Sequence, residues 1–185
     1  MISLTNFMTK MLQMFSFENG KQEELRQEIF EFFVVFSRFE FALKERGYIK
    51  RKEEGKNAEP DWDSFLKINK DNFIVTEDCS VSFQYLTTPE TAPNRQKIFY
   101  TFESGVEVIK TNWSEQKIGI NTPDLKKVVD SIKLVRNNLF HGGKYGDKNW
   151  CDFTRTSNLL RHSLVMLFVL KELDECISVY FEDFA

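Results

Sequence analysis

The chain has 185 residues, 42% hydrophobic and 15% aromatic with 19 Phe, which supplies the apolar area of a folded domain and excludes global disorder. At this length about 70% of the unfolded surface leaves water on folding, so no disulfide or metal staple is needed, and a single domain over 1–185 is expected. A formal net charge of −3 excludes little, because nucleic-acid binding depends on where Lys and Arg cluster rather than on their sum.

In chain order, the start MISLTNFMTKMLQMF lacks a basic leader followed by an unbroken apolar stretch. No apolar run anywhere approaches the ~18–20 residues that span a bilayer, so a cytoplasmic protein with no membrane partner is expected. From Gln22 to Gly47, Leu25, Ile29, Phe32, Phe33, Phe36, Phe39, Ala42 and Leu43 recur at three and four residues, which predicts an amphipathic helix stopped by Gly47. The segment KRKEEGKNAEPDW reads as a solvated connection into a short helix with Trp62, Phe65 and Leu66.

Residues 68–119 mix short apolar clusters with the turn-rich TTPETAPN and read as an irregular middle insertion. One small hairpin is expected around Phe99 to Ile109, because Gly105 separates two apolar runs. Thr122-Pro123-Asp124 is a helix start, combining a capping hydroxyl, a preset first turn and an acid that suits the helix dipole. Leu125, Val128, Val129, Ile132 and Val135 continue that helix to Leu139, with Gly142-Gly143 as its stop. A last long helix is expected from about Phe153 to Tyr180. Three long amphipathic segments predict an all-α, antiparallel helical bundle, with surplus Phe for a dimer face.

Cys79, Cys151 and Cys176 are odd in number, dispersed and without a C-x-x-C pair, which indicates neither a disulfide framework nor a zinc site and fits a reducing compartment. With two His, a histidine-rich metal site within one chain is excluded, and no Gly-rich phosphate loop or other cofactor motif occurs; no metal or cofactor is expected.

The residues that carry chemistry lie at the end of the Pro123 helix, in VRNNLFHGGK. His141 follows Asn137 by four residues and shares its face, and Arg136 lies beside them. A guanidinium fork matches a phosphate and stabilises charge building on it, while an imidazole moves protons near neutral pH. His141 equally fits a plain stabilising role at the helix C-terminus. Between Asp124 and Arg155, Lys126, Lys127, Lys133, Arg136, Lys144, Lys148 and Arg155 outnumber the acids, so a basic face on an acidic protein is compatible with RNA.

The R-N-x-x-x-H hexad from Arg136 to His141 resembles the signature of the HEPN superfamily (higher eukaryotes and prokaryotes nucleotide-binding). FFVVFSRFEFALK from Phe32 and PDWDSF from Pro60 resemble a bacterial branch of it, in the same order. The resemblance implies a helical bundle that dimerises and brings two motifs into one cleft. It implies a metal-independent endoribonuclease, a toxin or host-defence effector with RNA as substrate and an antitoxin protein as partner. Other members are noncatalytic nucleotide-binding or interaction modules. Carried over, Arg136 binds and polarises the scissile phosphate, Asn137 orients the site and His141 transfers the proton.

Around that motif, Glu40 lies on an apolar stripe and needs a partner, for which Arg136 is a candidate; an ordinary ion pair is the alternative. Arg38 is either a second supporting residue or exposed. Lys144, Lys148 and Arg155 are candidates for tracking an RNA backbone, against the reading that they are solvated surface charges. His162, two turns after Arg155, either borders the cleft or is a satisfied histidine, and the Phe30 to Phe41 series reads as core or dimer packing rather than base stacking.

Overall fold

A computed structural model describes residues 19–119, 121–140 and 152–183. The first helix, α1 (Asn19–Glu45), follows the Phe-rich periodicity: Leu25, Phe32, Phe36, Phe39, Ala42 and Leu43 are buried on one face, whereas Phe30, Phe33, Val34 and Phe41 are exposed. It ends in a Schellman motif, with Gly47 N–H donating to the Lys44 carbonyl (2.8 Å) and Tyr48 N–H to that of Leu43 (2.9 Å). Gly47 takes φ +91°, and a Cβ there would meet nothing within 4 Å, so only backbone strain opposes a side chain. Gly47→Ala is expected to lower stability by about 1–2 kcal/mol in urea unfolding, with an unchanged slope.

A two-residue antiparallel ribbon follows, β1 (Ile49–Lys50) with β2 (Glu59–Pro60), in the segment expected to be connection only. Next come α2 (Trp62–Asn69) and α3 (Glu77–Thr87). The sequence hides α3 because its buried face is Cys79, Ser82 and Leu86, helical in spacing but two-thirds polar or small. β3 (Arg95–Glu103) and β4 (Val106–Ser114) form a hairpin about the Ser104-Gly105 turn. Both turn residues have positive φ, 50° and 80°, the type I′ geometry whose twist matches that of the paired strands.

The expected all-α architecture is therefore wrong. The described residues hold six helices and two small antiparallel two-stranded sheets, a mixed fold. The physical reason is local: runs of β-branched and aromatic residues (Ile98 to Phe102 and Val106 to Ile109) flank a turn that demands φ > 0, so the middle region closes into strands. Ile98, Tyr100, Phe102 and Ile109 share one sheet face and are more than half exposed, so this hairpin adds little to the core.

α4 (Asp124–Phe140) starts where Pro123 and Asp124 predict, with the Pro123 carbonyl accepting from Lys127 N–H (3.0 Å). Its terminator Gly142-Gly143 lies outside the described residues. The last long helix is broken in two, α5 (Phe153–Lys171) and α6 (Glu175–Glu182). Asp174 makes the break: its carboxylate caps Cys176 N–H (3.0 Å), accepts from Arg46 Nε (2.9 Å) and receives the Tyr48 hydroxyl (3.2 Å). The end of α1 thereby fixes the start of α6.

α1 packs on α5 and α6, and α3 packs on α5 and α4. The core between them is Phe32, Phe39, Phe65, Ile132, Leu160, Leu167 and neighbours, all nearly inaccessible. Among the described residues, no helix is long and apolar enough to cross a membrane.

Candidate active site

The inner stripe of α4 (Leu125, Val128, Val129, Ile132 and Val135) is buried, which turns Lys133, Arg136 and Asn137 outward. Two buried polar contacts hold the helix in place. Ser131 donates to the Leu86 carbonyl (2.8 Å), and the Asn138 amide donates to the Asn94 carbonyl (2.9 Å). Unpaired, these buried groups would cost about 1–3 kcal/mol each, so the axial setting of α4 and the position of Arg136 are firmly specified.

Lys133, Arg136 and Asn137 form one wall of a groove of about 280 Å³, completed by Phe36 and Glu40 of α1, Lys50, Glu59 and Pro60 of the β1–β2 ribbon, and Trp62 of α2. Its floor is aromatic. The Trp62 ring stacks on Phe39 (5.2 Å, 19°) and Phe36 (5.8 Å, 27°), with the Phe65 edge against it (6.3 Å, 90°). Trp62 is set by the cap before it: Asp61 accepts from Ser64 N–H (3.1 Å) and Ser64 Oγ (2.6 Å), which hold its carboxyl below the usual range. Asp61 N–H in turn donates to the Tyr48 carbonyl (2.8 Å), which ties α2 to the end of α1.

The cations lie over this floor. Arg136 Cζ is 5.8 Å from the centroid of Phe36, and Lys133 Nζ is 5.8 Å from that of Trp62. One guanidinium nitrogen of Arg136 donates to Asn137 Oδ1 (3.1 Å), so neighbouring side chains of one turn orient each other. Glu40 accepts from the Trp62 indole N–H (3.2 Å). The sequence places Glu40 near Arg136, and the groove does hold both; the hydrogen-bond partner that sequence reasoning missed is the indole. Lys133 was also missed as a site residue, although its position three before Arg136 on the same helix was the available signal.

Other sequence candidates sit elsewhere. Arg38 donates from Nε to the Phe181 carbonyl (3.0 Å) and packs over Phe41 (4.8 Å), away from the groove lining. Arg155 donates to the carbonyls of Glu90 (3.1 Å) and Ala92 (2.7 Å), so its fork ties the loop after α3 to α5. His141, Lys144 and Lys148 lie outside the described residues. Among the Phe series, Phe32, Phe36 and Phe39 are core.

His162 is not in the groove. It sits between α5 and α3, with Nδ1 3.0 Å from Ser82 Oγ and its ring 4.5 Å from Tyr85, and burial pushes its pKa below the ordinary value. The unfolded chain therefore binds a proton more readily than the folded one. Stability is full above the unfolded pKa of about 6.5, falls as pH drops through it and levels off below the depressed folded value. In unfolding titrations between pH 8 and 5, His162→Gln is expected to remove part of this slope.

No protein-family model matches the chain, and no curated protein or solved structure is significantly similar to it.

Proposed function

We propose that the chain is a metal-independent endoribonuclease of the HEPN type, acting in the cytoplasm as a homodimer toxin or defence effector restrained by an antitoxin protein. One observation carries this reading: Arg136 and Asn137, the first two residues of the R-N-x-x-x-H hexad, line one groove together with Lys133 over a buried aromatic floor. Such a groove suits a phosphodiester, since the Arg fork reaches non-bridging oxygens and Asn137 keeps it aimed.

In the reaction, the RNA 2′-oxygen bonds to phosphorus as the bond from phosphorus to the 5′-oxygen breaks. The 2′-hydroxyl gives up its proton, and the departing 5′-oxygen gains one, leaving a 2′,3′-cyclic phosphate and a 5′-hydroxyl. Arg136 stabilises the extra charge on the phosphorane oxygens, and His141, four residues after Asn137, moves the proton.

The test is purified protein with mixed RNA in EDTA, beside His141→Ala, reading fragment ends. Cleavage by the parent alone, with cyclic phosphate ends, supports the reading. Cleavage by His141→Ala at the parental rate refutes the mechanism. Saturable nucleotide binding without cleavage by the parent makes the chain a noncatalytic binding module.

A further inference from the structure

The groove contains a second cation whose use the hexad leaves open. α4 carries three lysines, and two are neutralised on their own helix, Lys126 by Asp130 (2.9 Å) and Lys127 by Asp124 (2.7 Å). Lys133 forms no ion pair among the described residues, even though the Glu40 carboxylate lines the same groove; Glu40 instead accepts from the Trp62 indole. Lys50, the other groove ammonium, lies on the β1–β2 ribbon as the register partner of Glu59, and the two form no ion pair among the described residues. Lys133 is thus the lysine of α4 that is not neutralised on its own helix, and it lines the groove beside Arg136.

Its position relative to Arg136 is set by geometry. Residues three apart on a helix are neighbours, with about 5–6 Å between Cβ atoms. Here each cation rests on its own ring, Lys133 on Trp62 and Arg136 on Phe36, and the two rings stack 5.8 Å apart. The rings are both 4% exposed, so they support the cations and leave no face for a base. The ligand this arrangement fits is a run of phosphates with its bases turned away.

We infer that Lys133 holds the RNA phosphate adjacent to the one on Arg136, so that the strand runs along α4; this rests on the ribonuclease reading. The contact is to backbone, so it positions the strand without selecting its sequence.

The experiment measures binding of fluorescein-labelled, fully 2′-O-methylated mixed-sequence RNA against salt, and in parallel the kinetics of cleavage of unmodified RNA. Lys133→Gln is expected to lower the slope of log affinity against log salt by about 0.7, the value for one phosphate contact on a single strand. It raises KM severalfold with kcat within about twofold, the pattern of lost uniform binding. Lys133→Arg retains the parental slope, and Lys126→Gln, a control on the same helix, leaves slope and KM unchanged. Parental slope and KM in Lys133→Gln overturn the assignment, while the ribonuclease reading stands so long as the parent cleaves. Lys133-dependent binding without cleavage by the parent has the reverse meaning. If the parent fails to bind the RNA, both fall.

Discussion

Arg136→Ala is expected to reduce RNA cleavage by about 10²- to 10³-fold while leaving the unfolding midpoint near that of the parent. The magnitude is that of removing one preorganised donor from a developing oxyanion. The selectivity for rate over stability follows from where the side chain stands. Val135 and Asn138 carry the buried contacts of this turn of α4, whereas Arg136 faces the groove over Phe36. Arg136→Lys keeps the charge but loses the planar fork that donates to two oxygens at once, so it restores only part of the rate. Single-turnover cleavage at saturating RNA measures the effect on the chemical step. Equal rates in parent and Arg136→Ala would remove the residue from the mechanism.

Phe39→Ala is expected to cost about 3–5 kcal/mol, the range for truncating a fully buried Phe. Phe39 is inaccessible to solvent, stacks on Trp62 and meets the edges of Phe65 (5.8 Å) and Phe181 (6.4 Å). It therefore joins α1, α2 and α6, and its loss leaves a cavity that three elements must close together. At about 2–4 °C per kcal/mol for a chain of this size, the melting temperature falls by about 10 °C. Phe102→Ala makes the contrast, because Phe102 on the hairpin is 73% exposed and its replacement stays within about 0.5 kcal/mol. Thermal unfolding of the pair decides whether the aromatic cluster under the groove dominates stability. Phe39→Ala also withdraws support from Trp62, so cleavage is expected to weaken even in the folded fraction.

The groove links these two effects. Its floor belongs to the core and its rim to the site, with Trp62 in both: buried by Phe36 and Phe39, and donating to Glu40 at the rim. Stability and cation placement thus depend on the same rings.

By itself, the sequence determined the helices whose apolar residues repeat at three and four: the face of α1 from Leu25 to Leu43, the stripe of α4 from Leu125 to Val135, and the start of α5 at Phe153. It also determined local stops and starts whose cause lies within a few residues, such as Gly47 and the helix start at Pro123-Asp124. Periodicity and capping are short-range, so one chain suffices to read them.

Only the tertiary structure decided what depends on residues far apart. α3 was illegible because Cys79 and Ser82 occupy its buried face, and their burial follows from packing on α5 and α4. Asp174 divides the last helix because Arg46 and Tyr48, more than 120 residues earlier, hold its carboxylate. Arg155 reads as a free surface cation until the loop after α3 supplies the carbonyls of Glu90 and Ala92. The groove is the same case. Arg136 and Asn137 are visible in the hexad, but the floor of Phe36 and Trp62 and the hydrogen bond from the Trp62 indole to Glu40 arise only when α1, α2 and α4 meet, because aromatic stacking and hydrogen bonding are set by distance in space rather than along the chain.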